Sequence, residues 1–415
     1  MFRKKIHPIS TLAMIMFLSM IVADLFSSIN LPLVGNADEI MGAIAWGGVL
    51  FFIFRNMSVI KKSVMYLFIW ILLLGVIGII GNILSGIVKS STMVGLDMFL
   101  FSKPYIIFLF WMLFSKQCAH SLIPSFAWVA RLGIWVLTIC ALISQVANIG
   151  MRSSRGAFVF FAGYGGTVSW WVILFLALIW STSRSDKETV CYLIMSGIVI
   201  LLNGSGLGTI TYGIGVLMFI ALEKKKKVKW YYAFLIIIAC VYLGRSEISE
   251  YLLTNTSPRA LFFKYAFVTA NTYAPFGAGF ATYGSSTAIR NYSELYYKYG
   301  FNQIYGMTKE YHPYLMDNYY QQIIGQFGYI GAFALGIYIY VTLKRILSFQ
   351  NTSIRNGTLL LYGCLIIAGV AFGTASSWGC TVYMLIPLLA RWNEYIKTRE
   401  SLKINEKELA SYNIC

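Results

Sequence analysis

Long apolar stretches alternate with short polar breaks along most of the chain. Many approach the roughly 20 residues that a helix needs to cross the hydrocarbon core of a bilayer, so the pattern predicts about twelve membrane-spanning helices. Several stretches are short, and two pairs are joined by tight turns around Asn203 and Thr374, so ten or eleven spans are an alternative. The predicted spans cover residues 9–29, 40–54, 63–88, 93–114, 126–147, 166–182, 189–204, 207–222, 230–244, 322–343, 358–373 and 376–392.

Composition agrees with this pattern. Of 415 residues, 58% are hydrophobic and 12% are charged, whereas a soluble domain carries about 25% charged residues. This excludes a soluble enzyme, a disordered chain and a secreted disulfide scaffold. The seven cysteines form no CxxC pair, so we expect no metal site. The fold class predicted is all-α, a polytopic integral membrane protein.

The net charge of +17 suggests a nucleic-acid-binding protein only until the positions of the charges are considered. Of the 33 basic residues, 22 fall in alternate breaks between the predicted spans, as the positive-inside rule requires of cytoplasmic loops. This distribution places both termini in the cytoplasm and argues against a nucleic-acid partner. The apolar stretch after Lys5 has no clear cleavage site, so it is predicted to be the first span and not a signal peptide.

One polar insert, residues 245–321, separates the ninth and tenth predicted spans and lies outside. The chain then divides into spans one to nine (1–244), this insert (245–321), spans ten to twelve (322–392) and a cytoplasmic tail (393–415). A loop of this length is usually functional. It holds 13 of the 28 tyrosines, which could stack on sugar rings or form an interfacial aromatic belt.

Basic residues on the outside run against the charge bias and need a reason. A guanidinium group holds phosphate oxygens in a bidentate fashion, so these residues suit a lipid-linked diphosphate at the outer membrane surface. The alternatives are headgroup anchoring and pairing with Glu247 or Glu250. The candidates are Arg152, Arg155, Arg245, Arg259, Lys264 and Arg290.

Acid–base candidates stand just before the tenth span. His312, with Glu310 and Asp317 near it, could take a proton from an attacking hydroxyl. The alternatives are a solvated turn, or a helix cap supplied by Asp317.

Two further charged residues, Asp97 and Lys103, fall within the fourth predicted span. Charge inside a membrane is costly and draws attention. We expect both side chains to reach the outer headgroup layer.

The segment Asn203-Gly-Ser-Gly-Leu-Gly lacks the Lys-Ser/Thr of a phosphate loop, so it predicts a tight hairpin. Glycines 325, 328 and 331 should allow close helix packing in the tenth span.

Three segments together resemble the O-antigen polymerase and O-antigen ligase family. The first is Arg259-Ala-Leu-Phe-Phe-Lys…Pro275-Phe-Gly277-Ala-Gly279-Phe-Ala-Thr-Tyr283, similar to the family's arginine, amphipathic helix and Pro-x-Gly-x-Gly turn. The second is Asp317-Asn318-Tyr319-Tyr320…Gly328-Tyr-Ile-Gly331, which is similar to the ligases' His-Asn and Gly-x-x-Gly. The third, Arg152…Arg155-Gly156-Ala-Phe158, is similar to an Arg-x-x-Gly-x-Phe pattern.

The resemblance implies a polymerase of undecaprenyl-diphosphate-linked oligosaccharide repeat units, acting at the periplasmic face of a bacterial inner membrane. It implies a metal-independent glycosyltransferase without a cofactor, with a chain-length regulator as a possible partner. Catalysis would fall to Asp317, His312 and Arg259. Diphosphate and glycan would contact Arg152, Arg155, Arg290, Lys264, Gly277, Gly279, Asn318 and Tyr319.

Other functions compete with this one. A ligase would transfer finished polysaccharide to lipid A core, but Asp317 stands where ligases have histidine, which favours the polymerase. A lipid-linked oligosaccharide flippase should carry charges through many spans, whereas the charges here concentrate in one outer loop. A structural or signalling membrane protein is the remaining class.

Overall fold

In a computed structural model of the chain, the structure describes all residues except 1–7, 30–34, 57–60, 148, 155, 184, 224–237, 239–241, 243–256, 316–318, 371–375 and 413–415. Within the described residues every regular element is a helix. The pairing between Arg152 and Phe158 is an isolated antiparallel bridge. The predicted all-α class is confirmed.

The helices follow the predicted apolar stretches closely at most boundaries. In chain order they are α1 (Pro8–Leu25), α2 (Ala37–Arg55), α3 (Lys62–Ser85), α4 (Ser91–Val146), α5 (Gly165–Thr182), α6 (Asp186–Asn203), α7 (Gly206–Met218), α8 (Pro258–Thr272), α9 (Ser286–Arg290), α10 (Glu294–Lys298), α11 (Tyr319–Leu347), α12 (Thr352–Ala368) and α13 (Ser377–Tyr412).

Six of these helices, in the described part of the chain, are long and apolar enough to cross a membrane: α1, α2, α3, α4, α5 and α11. Two shorter apolar helices cover Gly206–Leu222 and Thr352–Ala368. The chain is therefore a helical multi-pass membrane protein. The count of about twelve spans stays a prediction, since the ninth span, residues 230–244, falls almost entirely outside the described residues.

Helix α4 corrects one detail of the predicted layout. The fourth and fifth spans were expected on either side of a loop at Lys116, but Ser91–Val146 is one continuous helix of 56 residues. At 1.5 Å per residue, 56 residues are enough to cross a hydrocarbon core of roughly 30 Å twice, and Pro104 and Pro124 lie within the helix. The polar residues around Lys116 include no glycine, and polarity alone does not end a helix. The hydropathy pattern therefore located a polar stretch correctly and assigned it the wrong conformation.

The predicted hairpin at Asn203 is confirmed. Helix α6 ends at Gly204, whose φ of 68° is left-handed, and the Ser205 hydroxyl accepts a hydrogen bond from the Gly208 amide at 3.3 Å to begin α7. The Asn203 side chain donates to the Phe158 carbonyl at 2.6 Å and accepts from the Ser169 hydroxyl at 2.8 Å. Asn203 thus joins this hairpin to the backbone at Phe158 and to helix α5.

The described part of the insert folds around a small aromatic core of its own, which includes Phe262, Tyr283, Tyr296 and Phe301. Burial raises the pKa of the Tyr292 hydroxyl to about 12, so this group stays neutral and donates to the Met307 carbonyl at 2.8 Å. Many of the insert's tyrosines are therefore core residues, which neither sequence interpretation anticipated. A second set remains on the surface: Tyr297, Tyr305 and Tyr311.

Candidate functional site

The structure brings two of the family-like segments into direct contact. The turn at residues 275–279 packs against the first part of α11, where the Ala278 amide donates to the Gly325 carbonyl and the Gly279 amide donates to the Gln326 carbonyl, both at 2.9 Å. Helix α11 is interrupted there, because Gly328 has a φ of 59°. Segments that the sequence placed about 50 residues apart therefore form one unit.

Glycines are required at this contact by the space available. A β-carbon at Gly277 would lie 2.4 Å from the Gly328 nitrogen, and one at Gly279 would lie 2.3 Å from the Asn82 nitrogen. The amides of both are occupied within the protein, Gly277 donating to the Tyr273 carbonyl at 2.9 Å. Their role in the structure is close backbone packing, and their predicted contact with substrate stays a prediction.

Asp97, on α4, binds the segment that follows the turn. Its Oδ2 accepts a hydrogen bond from the Ala281 amide at 2.6 Å and another from the Gln326 side-chain amide at 2.9 Å. Asp97 is 1% exposed and Lys103 is 2% exposed, so the expectation that both reach the headgroup layer is wrong. Aspartate is too short to reach outward, and the Lys103 ammonium is held by Asp38 inside the bundle.

Two side chains of helix α3 make three further hydrogen bonds to the 278–280 backbone. Asn82 pairs with the backbone of Phe280 in both directions, accepting from the amide and donating to the carbonyl, each at 2.8 Å. The Ser85 hydroxyl donates to the Ala278 carbonyl at 2.7 Å. Neither Asn82 nor Ser85 is among the site residues predicted from the sequence. A polar side chain near the end of an apolar run was the available signal, and it is weak on its own.

A cavity of about 480 Å³ opens between α8 and α11 and is called the Arg259 cavity. Its walls are mostly aliphatic and its polar lining includes Arg259 and Gln321. Such a cavity suits a ligand with an apolar tail and an anionic group. The other lining residues are Phe263, Tyr320, Ile323, Ile324, Ala332, Leu335, Gly336, Ile339 and Val370.

Arg259 is positioned by helix capping and by an aromatic ring. The Ser257 hydroxyl accepts from the Ala260 amide at 3.2 Å and caps α8, with Pro258 as the first helical residue. The Arg259 guanidinium carbon lies 5.0 Å from the centre of the Tyr314 ring. Stacking over a ring face leaves the in-plane N–H groups of a guanidinium directed to its edges, where a phosphate can bind them.

His312 lies two residues before Tyr314, the residue whose ring contacts Arg259. Its Nδ1 is 3.0 Å from the Lys309 carbonyl oxygen. A carbonyl can only accept, so in the neutral ring Nδ1 carries the hydrogen and Nε2 is the free basic nitrogen. The Arg259 guanidinium thus contacts, through Tyr314, the same short segment of the insert that carries the His312 imidazole.

The other predicted site residues are dispersed. The Arg152 Nε donates to the Gly156 carbonyl at 2.6 Å and so supports its own loop. Lys264 and Arg290 are exposed, with Lys264 5.9 Å from the centre of the Tyr265 ring. Tyr319 is buried, and its hydroxyl contacts that of Tyr105. Four candidates, Arg155, Arg245, Asp317 and Asn318, lie outside the described residues.

Comparison of the sequence with protein-family models and with curated proteins gave no match. The functional assignment therefore depends on the residues and geometry described above.

Proposed function

We propose that this chain polymerises oligosaccharide repeat units carried on undecaprenyl diphosphate, at the periplasmic face of a bacterial inner membrane. The observation that carries the proposal is the Arg259 cavity, which combines an aliphatic wall with a guanidinium group in a helical membrane protein. A polyprenyl diphosphate has the matching chemistry, with an apolar chain attached to a doubly anionic group.

Each part of the site has a role in this proposal. The aliphatic residues of α11 contact the first isoprene units of the donor, and Arg259 binds the diphosphate through its in-plane N–H groups. As the reaction proceeds, charge develops on the departing diphosphate, and a fixed guanidinium stabilises it more than it stabilises the bound donor. Tyr314 keeps the guanidinium in place, so little reorganisation is needed.

The reaction balances without a metal or cofactor. The acceptor hydroxyl of a new repeat unit attacks the anomeric carbon of the donor chain. A glycosidic bond forms, the bond from that carbon to the diphosphate oxygen breaks, and undecaprenyl diphosphate departs. The hydroxyl proton passes to a base, either the Nε2 of His312 or the carboxylate of Asp317. The family-like spacing of Asp317 to Gly328 and Gly331 favours the aspartate.

A deletion strain separates this proposal from the ligase. Loss of a polymerase leaves lipopolysaccharide capped with a single repeat unit. Loss of a ligase leaves bare core together with long polymer on undecaprenyl diphosphate. The second result would reject the polymerase.

Site variants in the complemented strain test the geometry. Arg259→Lys keeps the charge and loses the planar fork, so we expect polymer synthesis to fall by about 10²-fold, the scale for one electrostatic donor. Lys298→Gln is the matched control, since Lys298 is an exposed cation of the insert that is not a predicted site residue and does not line the cavity. The polymer ladder at equal protein abundance is the measurement. A full ladder from Arg259→Lys would contradict the role of Arg259, and full ladders from both His312→Ala and Asp317→Asn would contradict the base.

A further inference from the structure

A second cavity lies at the other end of the helix bundle. Helices α5 and α13 begin close together, where the Trp378 indole donates to the Trp170 carbonyl at 2.9 Å. Their later parts, at Thr182 and Trp392, enclose a cavity of about 800 Å³ together with α4 and α6. This cavity, called the Arg131 cavity, shares no lining residue with the Arg259 cavity.

Positive charge exceeds negative charge in its lining, which holds Arg131, Arg399 and His120 against Glu188. The Arg131 Nε donates to a Glu188 oxygen at 2.8 Å, and its Nη2 donates to the Thr182 hydroxyl at 3.5 Å. A guanidinium carries five N–H donors, so three remain on Arg131. Arg399 is exposed and makes no hydrogen bond or ion pair within the described part of the chain. The cavity therefore presents donors that suit an anion with several oxygens.

Aromatic rings form much of the remaining lining. Trp392 and Tyr395 stack with ring centres 5.5 Å apart, and the His120 ring lies 5.7 Å from Tyr395. Trp128 is 65% exposed at the edge of the cavity. Tryptophan and tyrosine collect at the level of lipid headgroups, where one side of the ring is apolar and the other is wet.

The cavity continues into an apolar outer surface. Leu132, the residue after Arg131 on α4, and Trp135, one turn along from Arg131, are each 50% exposed. A ligand that binds its phosphate among the arginines can therefore lay an acyl chain along α4. A soluble phosphate compound would gain nothing from this surface, so the geometry favours a lipid over a free phosphate.

We propose that the Arg131 cavity binds the phosphate headgroup of an anionic membrane lipid, with its acyl chains against α4. The site is independent of the Arg259 cavity and of the proposed polymerase activity. Guanidinium–phosphate hydrogen bonds are charge-assisted and prefer a net anionic headgroup to a zwitterionic one.

The test uses the purified full-length protein in detergent and native mass spectrometry with dioleoyl-phosphatidylglycerol. Dioleoyl-phosphatidylcholine is the zwitterionic comparison, and inorganic phosphate is the soluble competitor. Arg399→Gln should weaken phosphatidylglycerol binding by about tenfold, the loss of one charge-assisted contact. Lys397→Gln is the matched control, because Lys397 is an exposed cation on the same helix and does not line the cavity. We expect its binding to stay within about twofold of wild type.

Arg399 is exposed and contacts no partner in the described chain, so its replacement leaves the fold intact and the comparison interpretable. Equal losses in the two variants would overturn the proposal, since any surface charge would then suffice. Phosphatidylcholine binding as tight as phosphatidylglycerol binding would also overturn it. Displacement of the lipid by equimolar inorganic phosphate would assign the site to a soluble ligand instead.

Discussion

Asp38 and Asp97 are both buried among the helices, and their carboxylates have partners of different kinds. Asp38 binds the ammonium of Lys103, a side chain from a neighbouring helix, and Glu39 lies 3.8 Å from the same ammonium. Asp97, six residues before Lys103 on α4, binds a backbone amide of the insert and the Gln326 side chain. One group joins membrane helices to each other, and the other joins them to the candidate site.

The difference concerns what can be replaced. An ion pair consists of two side chains, and substituting both by apolar groups removes the charge from the interior altogether. The Ala281 partner of Asp97 is a backbone amide, which a side-chain substitution does not remove. Replacing Asp97 therefore leaves that amide without its acceptor. The Lys103 pair should therefore tolerate joint replacement, whereas Asp97 should be required wherever the 275–281 segment must dock.

Removing Lys103 alone should have the largest effect on stability. Lys103→Met leaves Asp38 buried without its partner, at a cost of about 3–5 kcal/mol. The double variant Lys103→Met/Asp38→Leu should recover most of that loss. Thermal unfolding of the detergent-purified protein measures both. A double variant no more stable than the single one would show that the pair is more than a replaceable contact.

Asp97→Leu should cost about 2–4 kcal/mol, because it leaves the Ala281 amide and the Gln326 side chain without an acceptor. Asp97→Asn keeps one carbonyl oxygen and should lose less. Adding Gln326→Leu to Asp97→Leu should recover only the side-chain part, since the Ala281 amide stays unsatisfied. Protease sensitivity of the insert, followed with thermal unfolding, is the measurement. Full recovery of stability in the Asp97→Leu/Gln326→Leu protein would contradict the expectation that the unsatisfied Ala281 amide limits the recovery.

The sequence predicted helices well because apolar runs and caps are local signals. The Asn203 hairpin could be predicted for that reason, since Gly204 and Ser205 stand beside the runs that they end and begin. The role of Asp97 could not, because its partners lie 184 and 229 positions away in the chain. Its isolation in an apolar run was visible, and only the fold shows whether such a group points outward or to a backbone amide.

The candidate site also has parts that the sequence predicted and parts that it did not. Arg259 and the glycines of residues 275–279 were identified through a resemblance in local sequence, and the structure places them near α11. The cavity itself could not be predicted, because most of its walls are ordinary aliphatic residues of a span. The loop predicted at Lys116 is helical in the structure. Helix continuity depends on the backbone propensities of the residues, and their polarity is a separate property.

The smallest effect should come from a single hydroxyl that links α3 to the insert. Ser85→Ala removes the donor to the Ala278 carbonyl and should cost about 1 kcal/mol, the net worth of one hydrogen bond. Ser19→Ala is the matched control, because Ser19 is also a partly buried helical serine but donates within its own helix, to the Met16 carbonyl at 2.9 Å. Such a bond adds little to a carbonyl that the helix already satisfies, so we expect a change within about 0.5 kcal/mol. If the Ser85 hydroxyl helps Asp97 and Asn82 to dock the insert, only Ser85→Ala should increase cleavage of the insert by protease. Equal behaviour of the two serine variants would mean that Asp97 and Asn82 hold the 275–281 segment in place without Ser85.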